Sequence, residues 1–124
     1  MKQPKALPRI LSTVPLDWYL CTTAEEFHNA QRLLGFSLGD SEDWMLGDVA
    51  GAAVHYFDRT ILVCIEQGTP GDVIVHESVH VAQGFFEEMR ERTPGDETMA
   101  YVVQFIYRTL SAELAVREDK NVGG

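Results

Sequence analysis

Two of the chain's four histidines bracket a glutamate in the run Val73-Ile74-Val75-His76-Glu77-Ser78-Val79-His80-Val81-Ala82. Residues four apart on a helix share a face, one turn apart. His76 and His80 can therefore offer two imidazole nitrogens to one ion. Zinc favours such donors, in a tetrahedral site that keeps one position open for chemistry. Glu77, one residue on, is directed beside the ion instead of at it, where it can take a proton from an attacking water. Composition alone would produce about 0.01 matches to HExxH in a chain of this size. The spacing thus points to one zinc ion per chain, with Glu77 as the general base of a hydrolytic reaction.

Such a site wants a third protein ligand. His28 falls on an expected helix and reads as solvated; His55 falls in an expected strand and reads as locally packed. Glu87, Glu88 and Glu91 sit among Arg90 and Arg92 as a solvated charged face, and Asp96 reads as a helix N-cap. Glu97 and Glu113 remain. If the motif helix ran unbroken to Arg92, its end would lie about 18 Å past His80. Residues 92–97 span at most about 18 Å when stretched. Glu97 would then hardly reach the metal, and Glu113 would lie opposite His76 in the resulting helical hairpin. Gly84 offers an early stop, and the expectation is a helix that stops or kinks between Gly84 and Met89, with Glu87 to Asp96 as a connection, which favours Glu97 instead.

The elements that must carry these residues follow from pattern. Asp17 to Cys21 reads as a short strand. Thr22-Thr23 before Glu25 and Glu26 is a helix start, with a Thr cap and acids in the first turn. Phe27, Ala30, Leu33 and Leu34 then recur at helical spacing until Gly35. Ser37 to Asp48 is polar and acidic, a surface loop in which Asp40, Asp43 or Asp48 would be placed to orient a ligand histidine. Ala53–Phe57 and Ile61–Ile65 flank Asp58-Arg59 as a hairpin. Asp72 is the expected N-cap of the motif helix, and a last helix runs from Glu97 to about Arg117. The expectation is an α+β fold over residues 1–124 as a single domain, ordered β-α-β-β-α-α, with a small antiparallel sheet packed on helices. The Pro-spaced residues 1–15 read as an extended arm and 118–124 as a frayed tail.

Composition narrows the function classes. Ten Lys and Arg against nineteen Asp and Glu leave a net charge of −9. That field repels phosphate backbones and anionic lipid, which argues against nucleic-acid and membrane partners. Cys21 and Cys64 form no CxxC pair and read as buried, reduced thiols. The N-terminal stretch has no uninterrupted apolar run of the kind a signal peptide carries. Together these place the chain in a reducing cytoplasm.

The wider pattern is more specific. After His76-Glu77-Ser78-Val79-His80 and sixteen intervening residues comes Glu97-Thr98-Met99-Ala100-Tyr101, then Gln104. This HExxH…ExxAY arrangement resembles the small zincin-like metallopeptidases encoded in tailed-phage and prophage genomes. More broadly it is similar to gluzincins, in which a Glu on a following helix completes the zinc site. The resemblance covers about Asp17 to Leu114, with the motif segments carrying its specificity. It implies a zincin-like fold, His76, His80 and Glu97 as ligands, Glu77 as base and Tyr101 as a donor to the oxyanion. It further implies a peptide or protein substrate, with the apolar run Ile61 to Glu66 as the strand that would pair with an extended peptide. The alternative reading is a zinc-binding interaction or structural protein of phage origin that keeps the fold and the metal without hydrolysis.

Overall fold

The computed structural model describes residues 4–35, 52–57, 59–90 and 95–123. It is a small α+β fold in the order β1 (Asp17–Cys21), α1 (Ala24–Leu34), β2 (Ala52–Phe57), β3 (Thr60–Ile65), α2 (Gly71–Glu88) and α3 (Asp96–Gly123). The element order is the one expected, but the sheet is mixed. Its spatial order is β1-β3-β2: β2 and β3 form the antiparallel hairpin, while β1 runs parallel to β3. Parallel neighbours need a crossover, and α1 with β2 supplies the intervening chain.

Local chemistry explains the elements. The Thr23 hydroxyl accepts the Glu26 N–H at 3.1 Å, while the Glu26 carboxylate accepts from the Thr22 N–H at 2.6 Å and from the Thr22 hydroxyl at 2.8 Å. These contacts start α1 in the manner of a capping box. Gly35 closes it at φ 80°, its N–H turned back to the carbonyls of Gln31 and Arg32. Only a residue without Cβ adopts that left-handed turn cheaply.

Both faces of the sheet are covered. Cys21, Ala53, Leu62 and Cys64 pack with Phe27 and Ala30 of α1. Trp18, Leu20, Ile61, Val63 and Ile65 pack on the other face with Ile74, Val81 and Phe85 of α2 and with Ile106 and Leu110 of α3. Alternation along the strands sends successive side chains to opposite faces. Because β3 is the central strand with helices on both sides, its residues Ile61 to Ile65 are all buried. Ile61 to Ile65 of the Ile61–Glu66 run are therefore core and not an exposed pairing strand, with Glu66 exposed just past the strand; the edge beside α2 is β2.

Three further expectations change, and the expected extended arm gains partners. Residues 4–16 carry no helix or strand but are docked on the fold. The Leu7 N–H bonds the Trp18 carbonyl at 2.8 Å, the Trp18 indole bonds the Pro8 carbonyl at 2.7 Å, and Leu7 and Leu16 are buried in the larger core. This segment lies along β1, the strand that would otherwise present an unpaired edge. Asp72 does not cap α2: Pro70 holds the N-cap position without a side-chain bond, and Asp72 lies in the first turn. Asp96 is likewise the first residue of α3, whose opening bond runs from the Met99 N–H to the Gly95 carbonyl. Finally, α3 continues past Arg117 to Gly123. The expected loop Ser37 to Asp48, with Asp40, Asp43 and Asp48, lies outside the described residues, as do Asp58 and residues 91–94.

A docked N-terminal segment has a measurable consequence. Changing an exposed residue of a loose tail alters stability by about 0.5 kcal/mol at most. Leu7→Ala is expected to cost about 2 kcal/mol or more, the range for truncating a buried leucine. Urea unfolding should show it as a lower midpoint with an unchanged slope.

Candidate functional site

The seating of α2 decides where the motif points. Ile74, Glu77, Ser78, Val81, Ala82, Phe85 and Phe86 are its buried residues. At 100° per residue they occupy one continuous arc turned to the sheet and to α3. His76 and His80 lie outside that arc. Their rings share the outer face, with centroids 4.9 Å apart and planes at 69°. His76 is exposed and His80 is half-buried.

The same arc takes in the glutamate of the motif. Glu77 is 1 % exposed, as buried as the leucines of the sheet. Its charge is felt by the next layer. The hydrogen bond with Cys21, burial, the Cys21 charge and lastly the Glu77 carboxylate all push the Cys64 thiol above its ordinary value. Cys21 and Cys64 face each other in register on β1 and β3, both buried and free of disulfide. Both thiols lie in the smaller core with Phe27 and Ala30 of α1, whereas the outer face of α2 carries His76 and His80.

His80 is held from two sides. Its Nδ1 lies 3.2 Å from the Gln83 Oε1 one turn on, and the Tyr56 hydroxyl of β2 donates to its backbone carbonyl. With the amide oxygen assigned to that side, the contact favours the tautomer that has the proton on Nδ1 and the lone pair on Nε2. Neither residue was singled out from the sequence. Gln83 could have been, since a polar residue three positions after a ligand histidine shares its face. Tyr56 could not, because its approach depends on how the hairpin sits on α2.

α2 passes through Gly84 and ends at Glu88, with Met89 as its C-cap, so it stops inside the expected Gly84–Met89 window and short of Arg92; Glu87 and Glu88 are helical, and the connection to α3 is shorter than the expected 87–96. A Cβ at Gly84 would overlap the Tyr56 ring and stand 3.2 Å from the Ile61 Cδ1. The glycine is there for close approach of the edge strand, not for a turn.

The remaining candidates are distributed around the fold. His55 lies on the α1 face of the sheet, its ring 4.8 Å from Phe27, on the side away from α2. His28 is exposed on α1. Glu113 accepts from the Arg117 Nε at 3.1 Å, and Arg117 also reaches Glu26 at 3.2 Å, which ties the far end of α3 to α1. That arginine clamp, together with the nearby bond from Gln67 to the Leu114 carbonyl, sets Glu113 beyond the N-terminal end of α2. Glu97 is exposed in the first turn of α3, and Tyr101, one turn on, is 66 % exposed. Alignment of the two helices is marked by the Tyr107 hydroxyl, which lies against Gly71 at the start of α2. His76 and His80 are about 140° and about 180° around α2 from Gly71. Among the described residues, no group of three His, Cys, Asp or Glu comes together as a metal cluster.

The donor chemistry of the pair suits zinc: two imidazoles one turn apart on the outer face of α2, one of them in contact with an outer partner. A comparison with family models, curated proteins and solved structures finds no match for the chain. No helix among the described residues is long and apolar enough to cross a membrane.

If the pair holds zinc, His76→Ala with His80→Ala should abolish zinc uptake in a competition titration with a chromophoric chelator. Glu113→Gln should leave the affinity within about twofold, because Arg117 already occupies that carboxylate. Zinc held at full stoichiometry by the double-histidine variant would exclude the pair as ligands.

Proposed function

We propose that the protein is a zinc-dependent hydrolase, of the metallopeptidase kind, acting on a peptide or protein substrate. The observation that carries this reading is the HExxH turn itself: His76 and His80 share an accessible face of α2, Glu77 adjoins them, and the edge strand β2 runs alongside. One zinc ion would be held by His76 and His80, with Glu97 as the third ligand on the strength of its ExxAY setting. The zincin-like, gluzincin-type and phage-related character of the chain rests on that same resemblance. Bound zinc supplies Lewis acidity, polarising a scissile carbonyl and acidifying water.

The chain's own residues supply the rest. Glu77 accepts the proton of the attacking water and passes it to the leaving amine. Tyr101 donates its phenol hydrogen to the oxyanion that develops on the carbonyl. A substrate in extended form pairs its backbone with the outer edge of β2, the strand nearest the motif turn, in the way an added strand extends a sheet. The acidic surface, −9 in net charge, favours basic or neutral substrates over acidic ones.

A second reading has an observation of its own. Glu77 is 1 % exposed while Tyr101 is 66 % exposed, so the base faces the core and the oxyanion donor faces solvent. A protein that keeps the metal turn for binding a partner, without hydrolysis, would tolerate that arrangement. One substitution separates the two. Glu77→Gln keeps the shape of the side chain but cannot accept a proton. In the hydrolase it is expected to retain zinc and to lower peptide cleavage by at least about 10²-fold, the usual contribution of a general base. Tyr101→Phe should cost less, on the order of 10-fold or more. Zinc-loaded wild type that cleaves nothing across a broad peptide library would establish the binding reading instead.

A further inference from the structure

The geometry points to Tyr56 and Gln83 as positioning residues for His80, with Gly84 kept free of a side chain so that Tyr56 can reach it; this rests on the zinc reading above. Two independent contacts converge on one histidine. Gln83 meets the ring at Nδ1, 3.2 Å away, and Tyr56 donates to the backbone carbonyl of the same residue. The first favours the tautomer that leaves the lone pair on Nε2. The second fixes the turn of helix from which the ring projects. The His80 carbonyl already closes the helical bond from Gly84, four residues on. A carbonyl oxygen has two lone pairs, so the phenol adds a second bond without breaking the first.

The packing shows that this contact is built in. Tyr56 is 50 % exposed, yet its ring lies across Gly84, where a Cβ would overlap it, and pairs in register with Ile61 of β3. Glycine inside a helix costs about 1 kcal/mol relative to alanine. Here that cost coincides with the close approach of the Tyr56 ring to the motif helix, which a Cβ would block. His80 is thereby tied to β2, the strand along which substrate would lie, whereas His76 is exposed. Tyr56 therefore couples the metal turn to the substrate edge through the backbone, and Gln83 orders the imidazole before any ion arrives. An ion entering such a site meets one ligand already in place, which lowers the ordering cost of binding.

The test compares zinc affinity of full-length wild type, Tyr56→Phe, Gln83→Leu and Gln83→Glu, by competition with a chromophoric chelator at a temperature where circular dichroism shows every variant folded. Outer partners of metal-binding histidines typically contribute about 10- to 100-fold in affinity. Tyr56→Phe and Gln83→Leu are each expected to weaken zinc binding by about 10-fold. Gln83→Glu, which still accepts from Nδ1, should restore it to within about threefold of wild type. A merely structural Tyr56 would lower the melting temperature and leave the affinity of the folded protein unchanged; that result overturns the inference while the zinc reading stands. Wild type that binds no zinc overturns the zinc reading, and this inference with it.

Discussion

The burial of one arc of α2 is the constraint on which the site depends. Ile74, Ser78, Val81 and Phe85 must face the sheet for the larger core to close. Helical periodicity then leaves no choice about the motif. His76 and His80 turn outward together, and Glu77, about 100° from His76, is carried to the margin of the core. Moving the buried set one residue toward the N-terminus would bury both histidines, and one residue toward the C-terminus would expose the glutamate. The fold thus supplies both the accessible imidazole pair and the low-dielectric setting of the carboxylate from a single packing requirement. In such a setting an ionised carboxylate interacts strongly with any charge brought near it.

The rest of the structure holds that arc in place. β3 is central and fully buried, so the sheet is a rigid floor beneath α2. The N-terminal segment closes the β1 edge through Leu7 and Trp18. At the other edge, β2 is joined to α2 by Tyr56 over Gly84. α3 covers the remaining flank of α2 with Ile106 and Leu110, and Arg117 pins its far end to α1 through Glu26. These contacts leave the outer face of α2 as the one on which the histidines stand.

Much of this was legible in local pattern. The β1 strand, the Thr23 cap, the Gly35 stop and the hairpin follow from alternation, capping chemistry and turn residues, all of which act within a few positions. The expectations that changed depend on distant partners. Nothing in Asp17 to Cys21 alone reveals that β1 runs parallel to β3. The Pro-spaced N-terminus looks loose until Trp18 offers its carbonyl and indole. Gly84 reads as a breaker in sequence, whereas its meaning is the close approach of Tyr56 from another element. At the site, the outward histidine pair was readable from spacing, but the depth of Glu77 was not, since the i+1 position says nothing about which arc the core claims. Gln83 lay within reach of a spacing argument; Tyr56 did not. Glu113 reads as open in sequence although Arg117, four residues on in the expected helix, is spaced to pair with it; the further tie from Arg117 to Glu26 of α1 depends on packing.

The central claim is that His76 and His80 are two ligands of one zinc ion. X-ray absorption at the zinc edge, on protein loaded with one equivalent of zinc, reads the ligand shell directly. The account predicts a four-coordinate site with two imidazole nitrogens at about 2.0 Å, identified by the outer-shell scattering of the rings, and light-atom donors in the other positions. Both imidazole signals should vanish in the His76→Ala, His80→Ala variant. A shell made of sulfur, or one without imidazole scattering in the wild type, would contradict it.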